Sequence, residues 1–471
     1  MRSVSRWGSS ALEKNSNYSI ENHRSMVLDD VRVDAYAAAI RRVARGKNVL
    51  DVGTGPFMLL GRFAAAAGAT RVVCVEHSEE SAATACELMQ CEHEMAQPVP
   101  LPVSHPKYEP PKAVGAWTPQ LIVPAPERAQ GGDAKKSGDD GGHPWHTSNG
   151  GWRRECVSAS KADSYENMSA RTLHVLTRRA KELQECRELL AELGADCAPS
   201  SLSISEAWYH PRWIARRRDS ALPLFIAQVE AGPALREGRH AVRVELHHGL
   251  AAHVDLPGDV DLIVHEILGH VASSEGAVKA IRELRARAGL ASKSCVVLPS
   301  EAGTMLAPTL QLEPSLLERL LQYSETGYSE THEQGMYHAR GFPPSAFLAP
   351  AQPMEWHCFN GELLCRQRRV LRFRTTADGR FDGLHLHLRV VLDATTAIDA
   401  YAQRTTWSCV YVRLFSPARA IWLAAGSLIE CVCNVDARTD SPKYDIDVSI
   451  ARPGDRGTWH AATFSWSGDG S

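Results

Sequence analysis

Apolar positions Val27, Leu28, Val31, Val33, Tyr36, Ile40 and Val43 recur at close to helical spacing and predict one helix over 27–45, closed by the polar turn Arg45-Gly46-Lys47. The pattern then tightens. Asn48-Val49-Leu50-Asp51-Val52 reads as a buried strand, Gly53-Thr54-Gly55-Pro56 as a tight loop, Phe57–Ala67 as a helix and Arg71–Glu76 as a second strand. These make a β-α-β unit, and a further helix runs to about residue 92. From Gln97 to Gly151 prolines, glycines and charges alternate with no apolar period, so 97–165 is expected to be a disordered insertion. A helical insertion is expected over 166–235, where Leu173, Leu176, Ala180, Leu183, Leu190 and Leu193 mark one face of an amphipathic helix ahead of Trp208 and Trp213. The run Arg216-Arg217-Arg218 reads as a solvated face.

Strand patterns return at Ala241–Leu246 and Val260–Val264, followed by a helix over Ala277–Ala288. Residues 236–300 therefore complete the sheet begun by 18–96, with 1–17 as a tail. Beyond residue 300, segments such as Val370–Arg374, Leu384–Val391, Cys409–Leu414 and Leu428–Val435 recur between Gly, Pro and Asp. The expected fold is an α/β Rossmann-like domain followed over 301–471 by an all-β, barrel-like domain. A helical arm is inserted in the latter at about 313–350.

Composition narrows the function. A chain of 471 residues that is 44% hydrophobic can bury a core in each of several domains. A formal net charge of -3 provides no general attraction for phosphate, so nucleic acid is not an expected partner. The twelve cysteines include no C-x-x-C pair, which signals neither a zinc site nor a disulfide framework; Cys431 and Cys433 share one face if their segment is a strand. The first eighteen residues are polar, and the most apolar later stretch, Ala420–Val435, is short and contains Glu430, so no membrane span is expected. A reducing compartment, cytoplasm or nucleus, follows as the expected location.

The first candidate chemistry lies in the loop after the first strand. A strand ending near Asp51, a Gly-x-Gly loop and a helix start place backbone N–H groups toward a ligand. Met58 stands where the dinucleotide fingerprint has its third glycine, so a nucleoside without a pyrophosphate suits the loop better. Glu76, at the end of the second strand, is placed for both ribose hydroxyls; the bland alternative is a charge favoured by a helix N-terminus.

The second candidate follows the strand ending at Val264: His265-Glu266-Ile267-Leu268-Gly269-His270-Val271-Ala272-Ser273-Ser274-Glu275. His265 and His270 are five apart, roughly 140° around a helix, which defeats a two-histidine metal site of the H-E-x-x-H kind. No metal is expected. Glu266 and Glu275, nine apart, would sit about 180° apart on a helix and converge only if the chain loops back. The bland alternative is a pair of solvated loop glutamates.

Val49-Leu50-Asp51-Val52-Gly53-Thr54-Gly55, with Ala66-Ala67-Gly68-Ala69-Thr70-Arg71-Val72 and Val75-Glu76, resembles the first two motifs of the protein arginine methyltransferases, which belong to the class I methyltransferases. His23 to Arg32 resembles that family's H-x-x-M-L-x-D-x-x-R helix, and the spacing of Glu266 and Glu275 matches its paired-glutamate loop. Thr405-Thr406-Trp407 resembles its T-H-W loop; Phe464-Ser465-Trp466 is a poorer match, since no strand follows it. The resemblance implies transfer of a methyl group from S-adenosyl-L-methionine to a guanidinium nitrogen of arginine in a protein, such as a histone or a Gly-Arg-rich protein. It implies Glu266 and Glu275 as the catalytic pair and Trp407 as a wall for the substrate arginine. The implied cofactor residues are His23, Met26 and Arg32, the last for the methionine carboxylate, with Asp51, Gly53, Thr54, Gly55, Glu76 and His77. A homodimer through the arm is implied too. Thr406 stands where the family's asymmetric dimethylating members have histidine, while Met26 matches those same members, so product type stays open. Two other readings stay open: a class I methyltransferase with a different substrate, and a catalytically degenerate scaffold.

Overall fold

The computed structural model describes residues 20–96, 120–123, 153–156, 184, 202–207, 225–230, 241–254, 256–287, 295–320 and 334–468. The expected tail 1–17 and amphipathic helix 169–193 (apart from Gln184), and Arg216 to Arg218, lie outside them. The chain opens with α1 (Ile20–Val27) and α2 (Asp30–Val43), where one helix was expected. Asp29 makes the break: its carboxylate caps α2 by accepting from Arg32 N at 3.2 Å, satisfying a donor that the helix start leaves unpaired. Leu28, assigned to the apolar face of a continuous helix, is consequently 51% exposed.

Then come β1 (Asn48–Val52), α3 (Leu59–Ala66), β2 (Arg71–Glu76) and α4 (Glu79–Ala96), and a short antiparallel pair, β3 (Gln120–Val123) with β4 (Arg153–Cys156). β5 (Leu202–Ala207), β6 (Phe225–Glu230), β7 (Ala241–His248), β8 (Leu262–His265), α5 (Ala277–Ala286) and β9 (Val296–Leu298) complete the first domain. One sheet of order β5-β6-β7-β2-β1-β8-β9 results. It is parallel from β7 to β9, while β5 and β6 add to its edge antiparallel. Two expectations are corrected here. Within 166–235, expected to be helical, Gln184 is helical, whereas 202–207 and 225–230 are strands, because the alternation in Leu202-Ser203-Ile204-Ser205 and the apolar run from Phe225 extend an existing sheet edge. Likewise 97–165, expected to lack regular structure, contains the β3–β4 ladder.

The strand order changes direction at β1, with β2 and β7 on one side and β8 and β9 on the other. Val52 pairs with both Val75 and His265, so the loops after β1, β2 and β8 leave the same end of the sheet side by side. In open α/β sheets this is where ligands bind.

The second domain contains β10 (Glu301–Leu310), α6 (Pro314–Leu320), β11 (Gly335–Ala339), β12 (Gln352–Cys358), β13 (Arg366–Arg374), β14 (Gly379–Asp393), β15 (Thr396–Asp399), β16 (Cys409–Arg413), β17 (Ile421–Leu423), β18 (Leu428–Asp436), β19 (Lys443–Ala451) and β20 (Trp459–Ser467). Its strands form a sheet of order β11-β16-β14-β10-β12, with β15 and β17 on β14, and a second of order β13-β18-β19-β20. The two enclose one barrel-like core. Alternation does the sorting: along β18 Ile429, Cys431, Cys433 and Val435 point inward, and both cysteines are buried thiols. The expected arm, where described, is α6 followed by β11, which pairs with β16 in the barrel sheet. β14 ties the domains together. Leu384 and Leu386 enter the barrel core, whereas Leu388, Val390 and Leu392 pack into the core of the first domain with Tyr36 and Ile40 of α2.

Candidate active site

The loop after β1 depends on glycine. Gly53 and Gly55 hold φ of +69° and +66°, a region costly for residues with a Cβ, and a Cβ on Gly53 would lie 2.7 Å from Ile267 Cγ2. Met58, at the absent third glycine, is also left-handed at φ 51° and delays the start of α3 to Leu59. Asp51 braces the loop from beneath. Its Oδ2 accepts from Thr54 Oγ1 at 2.5 Å and from Gly61 N at 2.8 Å, and complete burial pushes its carboxyl up to about 7. Glu76 closes the loop from β2, accepting from Gly55 N at 2.8 Å and Ser78 N at 2.7 Å, and burial raises its pKa too.

One cavity joins the three loops. Gly53, Thr54, Gly55 and Glu76 line it from the sheet end, His23, Met26 and Val27 from α1, Arg32 and Tyr36 from α2, and Glu266, Ile267 and Glu275 from the acidic loop. Of the cofactor and catalytic residues expected from sequence, these are the ones brought together. Asp51 sits below the loop, and exposed His77 lies outside the cavity, its carbonyl 3.1 Å from His248 Nε2. Burial, then the nearby Arg32 charge, lower the His23 imidazole to about 4, leaving it neutral at pH 7.

Arg32 is the hub. Its guanidinium forms an ion pair with Glu266, donates to Thr406 Oγ1 and stacks 4.1 Å from the centre of the Trp407 ring. Asp29 completes the cluster by accepting from Thr406 N at 2.6 Å and Thr406 Oγ1 at 2.9 Å. The threonine thus bridges a carboxylate and a guanidinium without carrying a titratable proton. Trp407 is 5% exposed, and Arg32 covers the face expected to meet a substrate. Burial, opposed by Arg32 and reinforced by the Glu275 charge, lifts the Glu266 carboxyl to about 7.

The acidic loop turns back on itself against the second domain. Trp407 Nε1 donates to Leu268 O at 2.9 Å, and His270 Nδ1 lies 2.9 Å from Ser408 N and 3.2 Å from Ser408 O. Burial lowers His270 to about 3. A Cβ on Gly269 would overlap Ser274 Oγ, so that hydroxyl would have to turn away to admit one. His265 meets Phe359 edge-on at 4.8 Å and His270 meets His338 at 4.4 Å. Phe464 and Trp466 lie on β20, Trp466 stacked on Tyr444.

Sequence reasoning passed over two participants. Asp29 could have been found as the acid three residues before Arg32 at a helix start. Tyr36, one turn beyond Arg32, was assigned to the helix core; it lines the cavity, and its buried hydroxyl has no hydrogen-bond partner among the described residues.

Over 69 residues, 14% of this chain, the sequence is 45% identical to a probable protein arginine N-methyltransferase 3 of Arabidopsis thaliana; the match covers 11% of that protein. No protein-family model matches the chain. Two of the solved structures that it resembles match nearly its whole length. One, reported in a uniquely open conformation, is Arabidopsis thaliana protein arginine methyltransferase 10, with TM-score 0.52 and 13% identity, covering 96% of this chain and 99% of that one. The fold is that of the protein arginine methyltransferases. The other structure, a Trypanosoma brucei PRMT1 enzyme-prozyme heterotetrameric complex with AdoHcy, gives TM-score 0.50 at 14% identity over 96% of this chain and 98% of that one. In this arginine methyltransferase fold the glycine loop, the acidic loop and α2 face one cavity, although identity to the two structures is so low.

Proposed function

We propose that the chain is a protein arginine N-methyltransferase using S-adenosyl-L-methionine, acting on arginine in proteins such as histones or Gly-Arg-rich sequences. The supporting observation is that Glu266 and Glu275 line the same cavity as Gly53, Gly55 and Glu76. The cofactor fits what is present. Glu76 offers a buried carboxylate for ribose hydroxyls, Met26 a soft apolar wall, Arg32 a cation for the methionine carboxylate, and Tyr36 a hydroxyl still without a partner. When bound, S-adenosyl-L-methionine supplies an electrophilic methyl group on a sulfonium.

The chain's own residues do the rest. An arginine guanidinium is charged and delocalised, hence a poor nucleophile. Two carboxylates accepting from its N–H groups hold its plane and draw positive charge toward the bound nitrogens, leaving the target nitrogen richer in electrons. As that nitrogen gains a carbon it must lose a proton, and a Glu266 carboxylate titrating near 7 can take it. Trp407 acts here by holding Arg32 and Leu268, with Arg32 covering its ring face.

The test is transfer from methyl-labelled S-adenosyl-L-methionine to a Gly-Arg-rich peptide and to the same peptide with lysine in place of arginine, followed by product mass. Label on the arginine peptide alone is expected, and the mass assigns mono- or dimethylation. Equal labelling of both, or cofactor binding with no transfer to arginine, would overturn the proposal. The same reading includes association of two copies through 313–350; sedimentation should give twice the chain mass, and a monomer at micromolar concentration would argue against it.

A further inference from the structure

The acidic loop is held at its return by a polar cluster that belongs to the other domain. Glu355 of β12 is fully buried. Its Oε1 accepts from Thr304 Oγ1 at 2.7 Å and Ser273 N at 3.3 Å, while Oε2 accepts from Ser273 Oγ at 2.6 Å and lies 2.8 Å from His357 Nε2. Thr304, directly opposite Glu355 in the β10–β12 ladder, also accepts from Ala272 N at 2.9 Å. Gln367 Nε2 reaches His357 Nδ1 at 3.1 Å, which leaves Nε2–H to point at Glu355. Tyr444 Oη lies 2.7 Å from Ser273 Oγ.

Burial alone would push the Glu355 carboxyl up. The bonds from His357, Ser273 and Thr304 outweigh it and hold the carboxyl below its usual range, so a charge is maintained in the interior. Such a cluster is costly unless every member is paired, and here its bonds converge on Ala272 and Ser273 of the loop. Ser273 sits two residues before Glu275, and its carbonyl accepts from Gly276 N at 3.0 Å, closing the turn that delivers Glu275. Leu268 and His270 are moored to Trp407 and Ser408, so the Glu355 cluster governs the Glu275 end of the loop.

We infer that Glu355, with Ser273 as its contact in the loop, is a positioning residue that sets Glu275 against Glu266, so that the second domain shapes the site of the first. The inference rests on the reading of these two glutamates as the guanidinium-binding pair. Neither Glu355 nor Ser273 lines the cavity, so their effect must be relayed through the loop backbone.

The test compares the full-length wild type with Ser273→Ala, Glu355→Gln and Tyr411→Phe. The last removes a buried hydroxyl bond of similar length, Tyr411 to Asp382 at 2.7 Å, which joins β16 to β14 within the second domain. Each is measured for melting temperature, S-adenosylhomocysteine affinity, and kcat and KM with a Gly-Arg-rich peptide. Ser273→Ala and Glu355→Gln should lower kcat about 10-fold or more, the scale of a displaced catalytic group, with S-adenosylhomocysteine affinity within 2-fold. The acid limb of kcat/KM should move to lower pH as water reaches Glu266. Tyr411→Phe should lose comparable melting temperature and keep kcat. If kcat stays within 2-fold in the two loop variants, or Tyr411→Phe loses it equally, the positioning role is wrong and the function stands. A wild type that transfers nothing to arginine overturns the function itself, and this inference with it.

Discussion

Glu266→Gln is expected to reduce kcat for methyl transfer to an arginine peptide by about 100- to 1000-fold, the scale seen when one preorganised polar group is removed from a developing charge. Glutamine keeps the shape and one acceptor. It loses the negative charge and turns an N–H toward a guanidinium that can only donate. S-adenosylhomocysteine affinity should change by only a few-fold, because the ribose and loop contacts do not involve residue 266. Arg32 loses its partner in this variant, yet Asp29 lies 4.0 Å away and Thr406 still accepts from it, so folding should survive. A measured kcat within 10-fold of wild type would remove Glu266 from the mechanism.

The same residue sets a pH signature. Its carboxyl titrates near 7 in the free protein, and only the ionised form grips a guanidinium, so kcat/KM should fall about 10-fold per pH unit below 7 and level off above it. A bound guanidinium favours the carboxylate, so the limb in kcat should lie at lower pH than that in kcat/KM. Glu266→Gln should abolish both limbs. A flat kcat/KM between pH 5.5 and 8 in the wild type would contradict the assignment.

The second large effect is expected at Gly53. Gly53→Ala forces a Cβ into left-handed backbone, at a cost of about 1–2 kcal/mol, and brings it to 2.7 Å from Ile267. The backbone cost alone corresponds to about 5- to 30-fold. With the steric overlap added, S-adenosylhomocysteine binding should weaken about 10- to 100-fold, read by calorimetry. Because Ile267 is next to Glu266, kcat should drop as well. Adding Ile267→Ala removes the opposing methyl and should return part of the affinity, leaving the backbone share. Unchanged binding in Gly53→Ala would mean that the loop is not the cofactor's seat.

Much of this site was legible because its signals are local. A Gly-x-Gly after an apolar strand needs no distant partner to adopt positive φ, and the alternation along β18 assigns an inner face wherever that strand packs. The pair Glu266 and Glu275 was readable as a returning loop because a helix would have separated them. The helix break at Asp29 was missed because its apolar spacing runs on through the cap. Strands β5 and β6 were missed because short segments with weak periodicity join a sheet only when an edge is already there.

The amino-acid sequence by itself determined the β-α-β unit with its glycine loop, the acidic loop at the end of β8 and the β-rich second domain, since each rests on backbone preference or periodicity among near neighbours. Tertiary structure decided which partners those residues meet. Arg32 reaches Glu266 and Trp407, Thr406 bridges Asp29 to Arg32 across 377 and 374 positions, and Ser273 hangs on Glu355, 82 positions away. Such contacts arise when two domains close on a shared core, and a pairing made by packing leaves no periodic trace in the chain.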